Sequence, residues 1–373
     1  MSRPSVQTVC EHTFVRWDNL RTEQDDGGRL PGMSGAPVVR TFDAPEALGI
    51  SFHEVHAKSA INDVPPMAHV DFRHTINPYR GCSHACRFCF ARPTHRYLDL
   101  DPTTQFEREI IVKVNLPEVL RAELKRPSWK GEHIALGTNT DPYQWVESKY
   151  GITRGIWEEL LAARNPCSIL TRSPLLLRDL DLFKRLSAET EFAANLSIPT
   201  IDKKVWRETE PGSPNPMKRI EALKELADAG IKTGVLVAPL MPGINDSPEQ
   251  IERILELCGE AGADSIGGIG LHLRGPLKSI FMDWLRQYRP DLVPRYEKAY
   301  GRGSHLPKEE RARLQRMIRR GRMRTPGAKR TWSGATETAG PGRRVTGRDS
   351  RTPSPSEPSP PSREPIATPQ TLF

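Results

Sequence analysis

With 373 residues, 37% of them hydrophobic and 27% charged, the chain could hold two average domains or one strand–helix barrel with loosely folded ends; apolar residues concentrated in the middle favour the second. A formal net charge of +8 and a pI near 9.2 admit a polyanionic partner such as nucleic acid, although net charge governs non-specific attraction rather than fold. No apolar run is long enough for a membrane span and the start lacks the basic and apolar regions of a secretory signal, so no membrane partner is expected and the cytoplasm, where thiols stay reduced, is the expected location.

Residues 1–45 are rich in Gly, Pro, Asp and Arg without sustained periodicity, and are expected to form a flexible, loosely ordered N-terminal segment in which Cys10 is a lone free thiol. Residues 46–300 are expected to be the core domain. Its first stretch, Ile50 to His56, alternates apolar and polar side chains as a half-buried strand does, which makes His53 and His56 ordinary strand residues.

The next stretch is Asn77-Pro-Tyr-Arg-Gly-Cys82-Ser-His-Ala-Cys86-Arg-Phe-Cys89-Phe90, which gathers three of the six cysteines in a Cys-x3-Cys-x2-Cys spacing. Iron–sulfur clusters are held by thiolates from such tight runs. Cys82, Cys86 and Cys89 would give a [4Fe–4S] cluster three ligands and leave one iron open to the amino and carboxylate groups of S-adenosylmethionine. Phe88 lies between the last two cysteines. A Cys3His zinc site completed by His84 is the competing reading, but structural zinc sites usually pair two separated ligand knuckles, and the sequence shows no second one.

Strand-like runs at 72–79, 133–138, 167–172, 192–198, 232–238 and 264–270 alternate with amphipathic helices, the pattern of parallel strand–helix units. Leu176, Leu180 and Phe183 make one helical stripe. Asn215-Pro216 opens another helix, with Ile220, Leu223 and Ala227 inward and Gly230 as its stop. Ser247-Pro-Glu-Gln250 is a capping box ahead of Ile251, Ile254, Leu255 and Cys258, which makes Cys258 a core residue; Cys167, at the start of a strand, is likewise expected to be a buried, inert thiol. The expected fold is therefore α/β, a partial (β/α)6 TIM-like barrel open on one side, with its chemistry on the loops at the carboxyl ends of the strands. The cysteine loop follows the first of them.

A helix with Phe281, Trp284, Leu285 and Tyr288 is expected across the open side. Residues 301–324 form a basic helix in which Leu314, Met317 and Ile318 make a narrow apolar stripe beside seven arginines; it either contacts phosphates or docks by its stripe. Residues 325–373, rich in Pro, Ser, Thr, Gly and Arg, have too little apolar content to offset the entropy of ordering and are expected to be a disordered C-terminal tail.

Taken with Gly137-Thr-Asn-Thr-Asp-Pro-Tyr-Gln144, Leu170-Thr-Arg-Ser173, Asn195-Leu-Ser-Ile-Pro-Thr200, Glu208-Thr-Glu-Pro211 and Pro239-Leu-Met-Pro-Gly-Ile-Asn-Asp246, the cysteine loop resembles the radical S-adenosylmethionine proteins of the branch that contains spore photoproduct lyase. The likeness covers roughly residues 70–275. It implies reductive cleavage of S-adenosylmethionine at a [4Fe–4S] cluster to a 5′-deoxyadenosyl radical, hydrogen abstraction from a substrate, and a flavodoxin- or ferredoxin-like electron donor. Strand-end positions then become cosubstrate candidates: Thr138, Asn139, Thr140 and Asp141 for an amino group or ribose; Arg172 for the methionine carboxylate, as a planar guanidinium suits; Ser197 for the same end; and Pro239, beside Val237, Met241 and Pro242, as part of an apolar floor for adenine.

The lyase of this branch returns a hydrogen atom from a cysteine some forty residues after the cluster loop, whereas here no cysteine occurs between Cys89 and Cys167. That departure puts lyase activity in doubt, and neither Tyr143 nor Tyr150 is favoured as a substitute donor. The leading expectation is a radical enzyme acting on an unidentified substrate, with nucleic acid a candidate. The alternative is a non-catalytic nucleic-acid binding module with a structural zinc or iron–sulfur centre.

Overall fold

The computed structural model of the chain describes residues 20–21, 38–65, 70, 72–324 and 330–331. Cys10, most of the 1–45 segment and nearly all of the 325–373 tail lie outside the described residues. Among those described, no helix is long and apolar enough to cross a membrane.

The strands in chain order are β1 (Val38–Arg40), β2 (Ser51–Ala57), β3 (Ile61–Asp63), β4 (His74–Ile76), β5 (Tyr79–Arg80), β6 (Glu109–Lys113), β7 (Ile134–Leu136), β8 (Cys167–Thr171), β9 (Phe192–Ser197), β10 (Thr233–Leu240) and β11 (Ser265–Gly270). Strands β4, β7, β8, β9, β10 and β11 are neighbours in that order, and each adjoining pair is parallel. This is the expected (β/α)6 half-closed barrel. Antiparallel β3 extends it beyond β4, and the two-residue strand Arg330–Thr331 pairs with β11 at the other edge.

The expected strand over 72–79 is two strands in two sheets. Pro78 has no N–H to give a ladder, and the chain leaves the barrel after Ile76 to pair Tyr79 and Arg80 with Val112 and Ile111 of β6. Beyond this corner the cysteine loop begins. The second sheet joins β2 in parallel to β6 and antiparallel to β1. Strand β6, Glu-Ile-Ile-Val-Lys, escaped the sequence reading because so short an apolar run has no period to identify it.

The connecting helices are α1 (Leu116–Leu124), α2 (Ile152–Ala162), α3 (Leu180–Glu189), α4 (Lys203–Thr209), α5 (Pro216–Asp228) and α6 (Pro248–Glu260). Their caps match their sequences. Asn215 accepts from Met217 N at 2.9 Å and Ser247 from Gln250 N at 3.2 Å, each ahead of a proline in the first helical turn. Ile220, Leu223, Ile251, Ile254, Leu255 and Cys258 are buried, while Ala227 is only half-buried and Leu226 takes the inward place.

Past the barrel, α7 (Leu277–Tyr288) and α8 (Val293–Tyr300) flank Pro290, and α9 (Lys308–Arg324) is the basic helix. It is α9 that packs against β11 and α6. Leu314 and Ile318 are buried, Gln315 Nε2 donates to Gly268 O at 2.5 Å, and Arg313 pairs with Glu310 and Asp246. The apolar stripe therefore docks the helix. Its close approach requires the glycine on β11, since a Cβ at Gly268 would lie 2.7 Å from Ile318 Cγ1. Gly268→Val is accordingly expected to cost about 1–3 kcal/mol through overpacking, seen as a lower urea midpoint; an unchanged midpoint would show that α9 is not held there.

Candidate metal and cofactor site

Cys82 and Cys86 are buried, and Cys89 is partly so; all are free thiols. Burial pushes Cys86 up to about 12, against the pull of the Arg172 cation, and burial followed by the nearby Asp141 charge puts Cys82 well above the usual thiol range. Without a cation such thiols stay protonated. Metal coordination deprotonates a thiol outright, so this donor set fits a metal centre. The competing Cys3His zinc reading needs His84 turned toward the cysteines as a fourth ligand. His84 is turned instead toward Asp141, with Nδ1 to Oδ2 at 3.3 Å.

The loop is held from three sides. Behind it lies Arg92, fully buried, whose Nε donates to Cys86 O at 3.0 Å and Nη2 to Ala85 O at 3.1 Å. Its Nη1 donates to Thr103 O at 2.5 Å, its charge pairs with Glu107, and the guanidinium lies 5.2 Å over the Phe106 ring. From the segment after β7, Gln144 Oε1 accepts Ser83 N at 2.9 Å, and Thr140 Oγ1 donates to Gly81 O at 2.7 Å. The third side is the segment after α4, where Arg87 N donates to Thr209 O at 2.9 Å and Gly212 N to His84 O at 3.1 Å. Only glycine permits that contact: a Cβ on Gly212 would sit 2.0 Å from Ser83 O. Arg92, Gln144 and Gly212 were not singled out from sequence, since a buried arginine reads like any surface one until its carbonyl partners are assembled.

The four residues after Gly137 have divided uses. Asp141 is enclosed by its own chain, accepting Thr171 Oγ1 at 2.6 Å, Arg172 N at 2.8 Å and Tyr143 N at 2.9 Å. Burial opposes ionisation, yet His84 and these hydrogen bonds hold the Asp141 carboxyl at about 2. Both of its oxygens are thus engaged, Oδ2 also facing His84 of the cysteine loop, and the Thr140 hydroxyl braces that loop directly. Thr138 Oγ1 lies 3.3 Å from Asn77 Oδ1, which also accepts Asn139 N at 3.1 Å. Asn139 Oδ1 is different: it is a buried acceptor with no hydrogen-bond partner among the described residues.

Arg172, at the carboxyl end of β8, lies 5.5 Å over the Phe88 ring and donates through Nε to Glu210 Oε1 at 2.6 Å. The other Glu210 oxygen accepts Arg219 Nη2 at 2.9 Å, and Arg219 Nη1 reaches Ser197 O at 2.9 Å. Glu210 and Arg219 are fully buried. Burial pushes the Glu210 carboxyl up, but Arg219 and then Arg172 outweigh it and leave it below the ordinary carboxylate value. Glu210, inside the Glu208-Thr-Glu-Pro211 segment, is the main site residue that sequence reading passed over. Ser197 Oγ donates to Ala238 O at 3.2 Å, the carbonyl that Arg172 Nη2 also approaches at 3.5 Å. Pro239 is half-buried just beyond, its carbonyl tied to Asn245 Nδ2 at 3.0 Å. Pairing registers align Asn195, Gly234 and Ser265 in one row, and Ser197, Leu236 and Gly267 in a second row two residues further along.

The remaining candidates stand apart. Cys167 and Cys258 are buried and burial raises both thiols. His53 pairs with Glu109 at 2.6 Å, and His56 is exposed on β2. Tyr143 donates to Asp179 at 2.6 Å and Tyr150 to Glu54 at 2.8 Å, so both hydroxyls are engaged.

A family model described as the radical SAM superfamily matches residues 76–258. An uncharacterized protein of Mycobacterium tuberculosis is 45% identical over 293 residues, which is 79% of this chain and 86% of that protein. A radical SAM Nα-GlyT isomerase of Pseudomonas phage M6 is 27% identical over 190 residues, 51% of this chain and 37% of its own length. Among solved structures, spore photoproduct lyase with bound AdoMet and dinucleoside spore photoproduct superposes with a TM-score of 0.59 at 18% identity, over 76% of this chain and 81% of the lyase.

Proposed function

Because this chain belongs to the radical S-adenosylmethionine superfamily, whose members pair that cosubstrate with a [4Fe–4S] cluster, we propose that Cys82, Cys86 and Cys89 hold the cluster and that the carboxyl face of β4 and β7–β10 holds the cosubstrate. Membership makes the chain an enzyme rather than the binding module that the sequence also allowed. When bound, cluster and cosubstrate supply reductive cleavage of the sulfonium to a 5′-deoxyadenosyl radical, which takes a hydrogen atom from the substrate.

The protein's part is to bind, orient and exclude water. Arg172 uses Nε on Glu210 and keeps its outer edge for the methionine carboxylate, while Ser197 lines the same end and Phe88 covers the guanidinium from the loop side. The unpartnered Asn139 Oδ1 accepts from the amino group or a ribose hydroxyl. Thr138 orients Asn139 through their shared bond to Asn77, Thr140 and Asp141 brace the cysteine loop, and Pro239 floors the adenine. An electron donor of flavodoxin or ferredoxin type, in a cytoplasm that keeps the thiols reduced, would complete the cycle.

The substrate we infer is a nucleotide or nucleic acid. Support comes from the dinucleoside photoproduct bound by the fold neighbour and from the net charge of +8. Thymine-dimer repair with a returning cysteine is not part of the proposal, since Cys167 is sealed in the core. The observation that carries the reading is the stack of Arg172 on Phe88, which sets a carboxylate-binding edge against the cysteine loop.

Anaerobic purification is expected to give about four iron and four sulfide per chain, and reduction with S-adenosylmethionine to release 5′-deoxyadenosine. Alanine at Cys82, Cys86 or Cys89 is expected to abolish both. One zinc per chain with no cleavage would refute the assignment.

A further inference from the structure

The arginines packed around the cysteine loop have carboxylates: the fully buried Arg92 has Glu107, and the fully buried Arg219 and the partly exposed Arg172 share Glu210. Two half-buried cations at the start of that loop do not. In the smaller sheet Arg80 lies opposite Ile111 of β6, and Lys113, two residues further along β6, projects to the same side. This is the face turned away from the main core, where Val55, Leu98 and Ile111 form a separate small cluster. Lys113 Nζ donates to Asn77 O at 2.9 Å, which places the ammonium at the carboxyl end of β4, and Arg80 is two residues before Cys82.

No carboxylate acts on either side chain among the described residues. Lys113 lies within electrostatic reach of Arg80, and Tyr97 within reach of Arg80; burial followed by the Arg80 charge brings Lys113 down to about 7. His95, the other titratable neighbour of Arg80, is held neutral by burial and adds no countercharge. Tyr97, 54% exposed, sets an aromatic ring beside the pair. Two desolvated cations side by side are costly unless an anion joins them, and cations with an aromatic neighbour are how proteins grip a phosphate next to a base.

We propose that Arg80 and Lys113 form a binding site for a phosphate group of the substrate, at the entrance to the cysteine loop. The identity of the phosphate as part of a nucleic acid rests on the substrate reading above; the existence of the anion site does not.

The test uses the full chain with its cluster assembled anaerobically, and two probes: inorganic phosphate by titration calorimetry, and a fluorescein-labelled single-stranded oligodeoxynucleotide by anisotropy across a salt series. Lys113→Met with unchanged iron content is expected to weaken phosphate binding about tenfold, to weaken the oligonucleotide similarly, and to flatten its log–log salt slope by about 0.7 for the lost contact; Lys113→Arg should retain both. A variant-free measurement supports it: phosphate should protect Lys113 of the wild-type protein from acetylation, read by peptide mass spectrometry. Phosphate binding that K113M leaves unchanged, or no protection of Lys113, overturns the proposal. If phosphate binds and protects but the oligonucleotide is ignored, the anion site stands and the nucleic-acid reading fails.

Discussion

Glu210→Ala is expected to be among the most damaging single substitutions outside the cysteines. It would leave the buried Arg219 guanidinium without its carboxylate and facing that of Arg172, and removing one partner from a buried ion pair costs about 3–5 kcal/mol. Unfolding by urea should report that loss. Function should suffer separately, because Arg172 would lose the anchor that fixes its plane over Phe88. A charge-assisted bond is worth about 1.5–3 kcal/mol, so S-adenosylmethionine should bind roughly 10- to 100-fold more weakly in a titration against the reduced cluster. Glu210→Gln can still accept from Arg172 Nε but carries no charge, and should fall between. Equal affinity in all three proteins would remove Glu210 from the positioning of Arg172.

The same group predicts a direction with pH. Its folded carboxyl sits below the ordinary 4.5, so its contribution is fully present above that value and is lost as pH falls through the lower folded value. Wild type should therefore lose more stability than Glu210→Gln on acidification below pH 4.5, and the two curves should converge.

Arg92→Met is expected to empty the proposed metal site without touching a proposed ligand. The substitution keeps apolar volume but removes the side-chain donors to Cys86 O, Ala85 O and Thr103 O, leaving Cys86 O only the 3.3 Å bond from Cys89 N, and leaves Glu107 without its main partner. Buried acceptors without donors cost about 1–3 kcal/mol each, and much of that strain falls on the turn in which Ala85 holds a positive φ of 55°. Iron content after anaerobic reconstitution should drop to a small fraction of wild type, while the barrel, whose strands do not involve Arg92, still melts cooperatively. Arg92→Lys reaches fewer of these acceptors and should recover part of the iron. Full iron in Arg92→Met would show that the loop holds its shape unaided.

How much of this was legible beforehand follows from the range of the interactions involved. Period and punctuation are local. The barrel strands at 167–172, 192–198, 232–238 and 264–270 could be read to within two residues because parallel strands buried on both faces are continuous apolar runs between helix caps. The cysteine spacing is local too, since one short loop must present all three thiols. Less was legible where a single proline moves the chain between sheets, as at Pro78, or where a strand such as β6 takes its identity from the partner it finds.

Sequence alone therefore determined the fold class, the loop that gathers three cysteines, and the position of Arg172 at a strand end. Tertiary structure alone decided what Arg172 is bonded to, that Asp141 and Thr140 brace the loop, that α9 is docked on glycines, and that Arg80 and Lys113 share a face without a countercharge. The reason is electrostatic as much as steric. A charge in a sequence is indistinguishable from any other of its sign until folding strips its water and fixes which opposite charge, carbonyl or vacancy it must face.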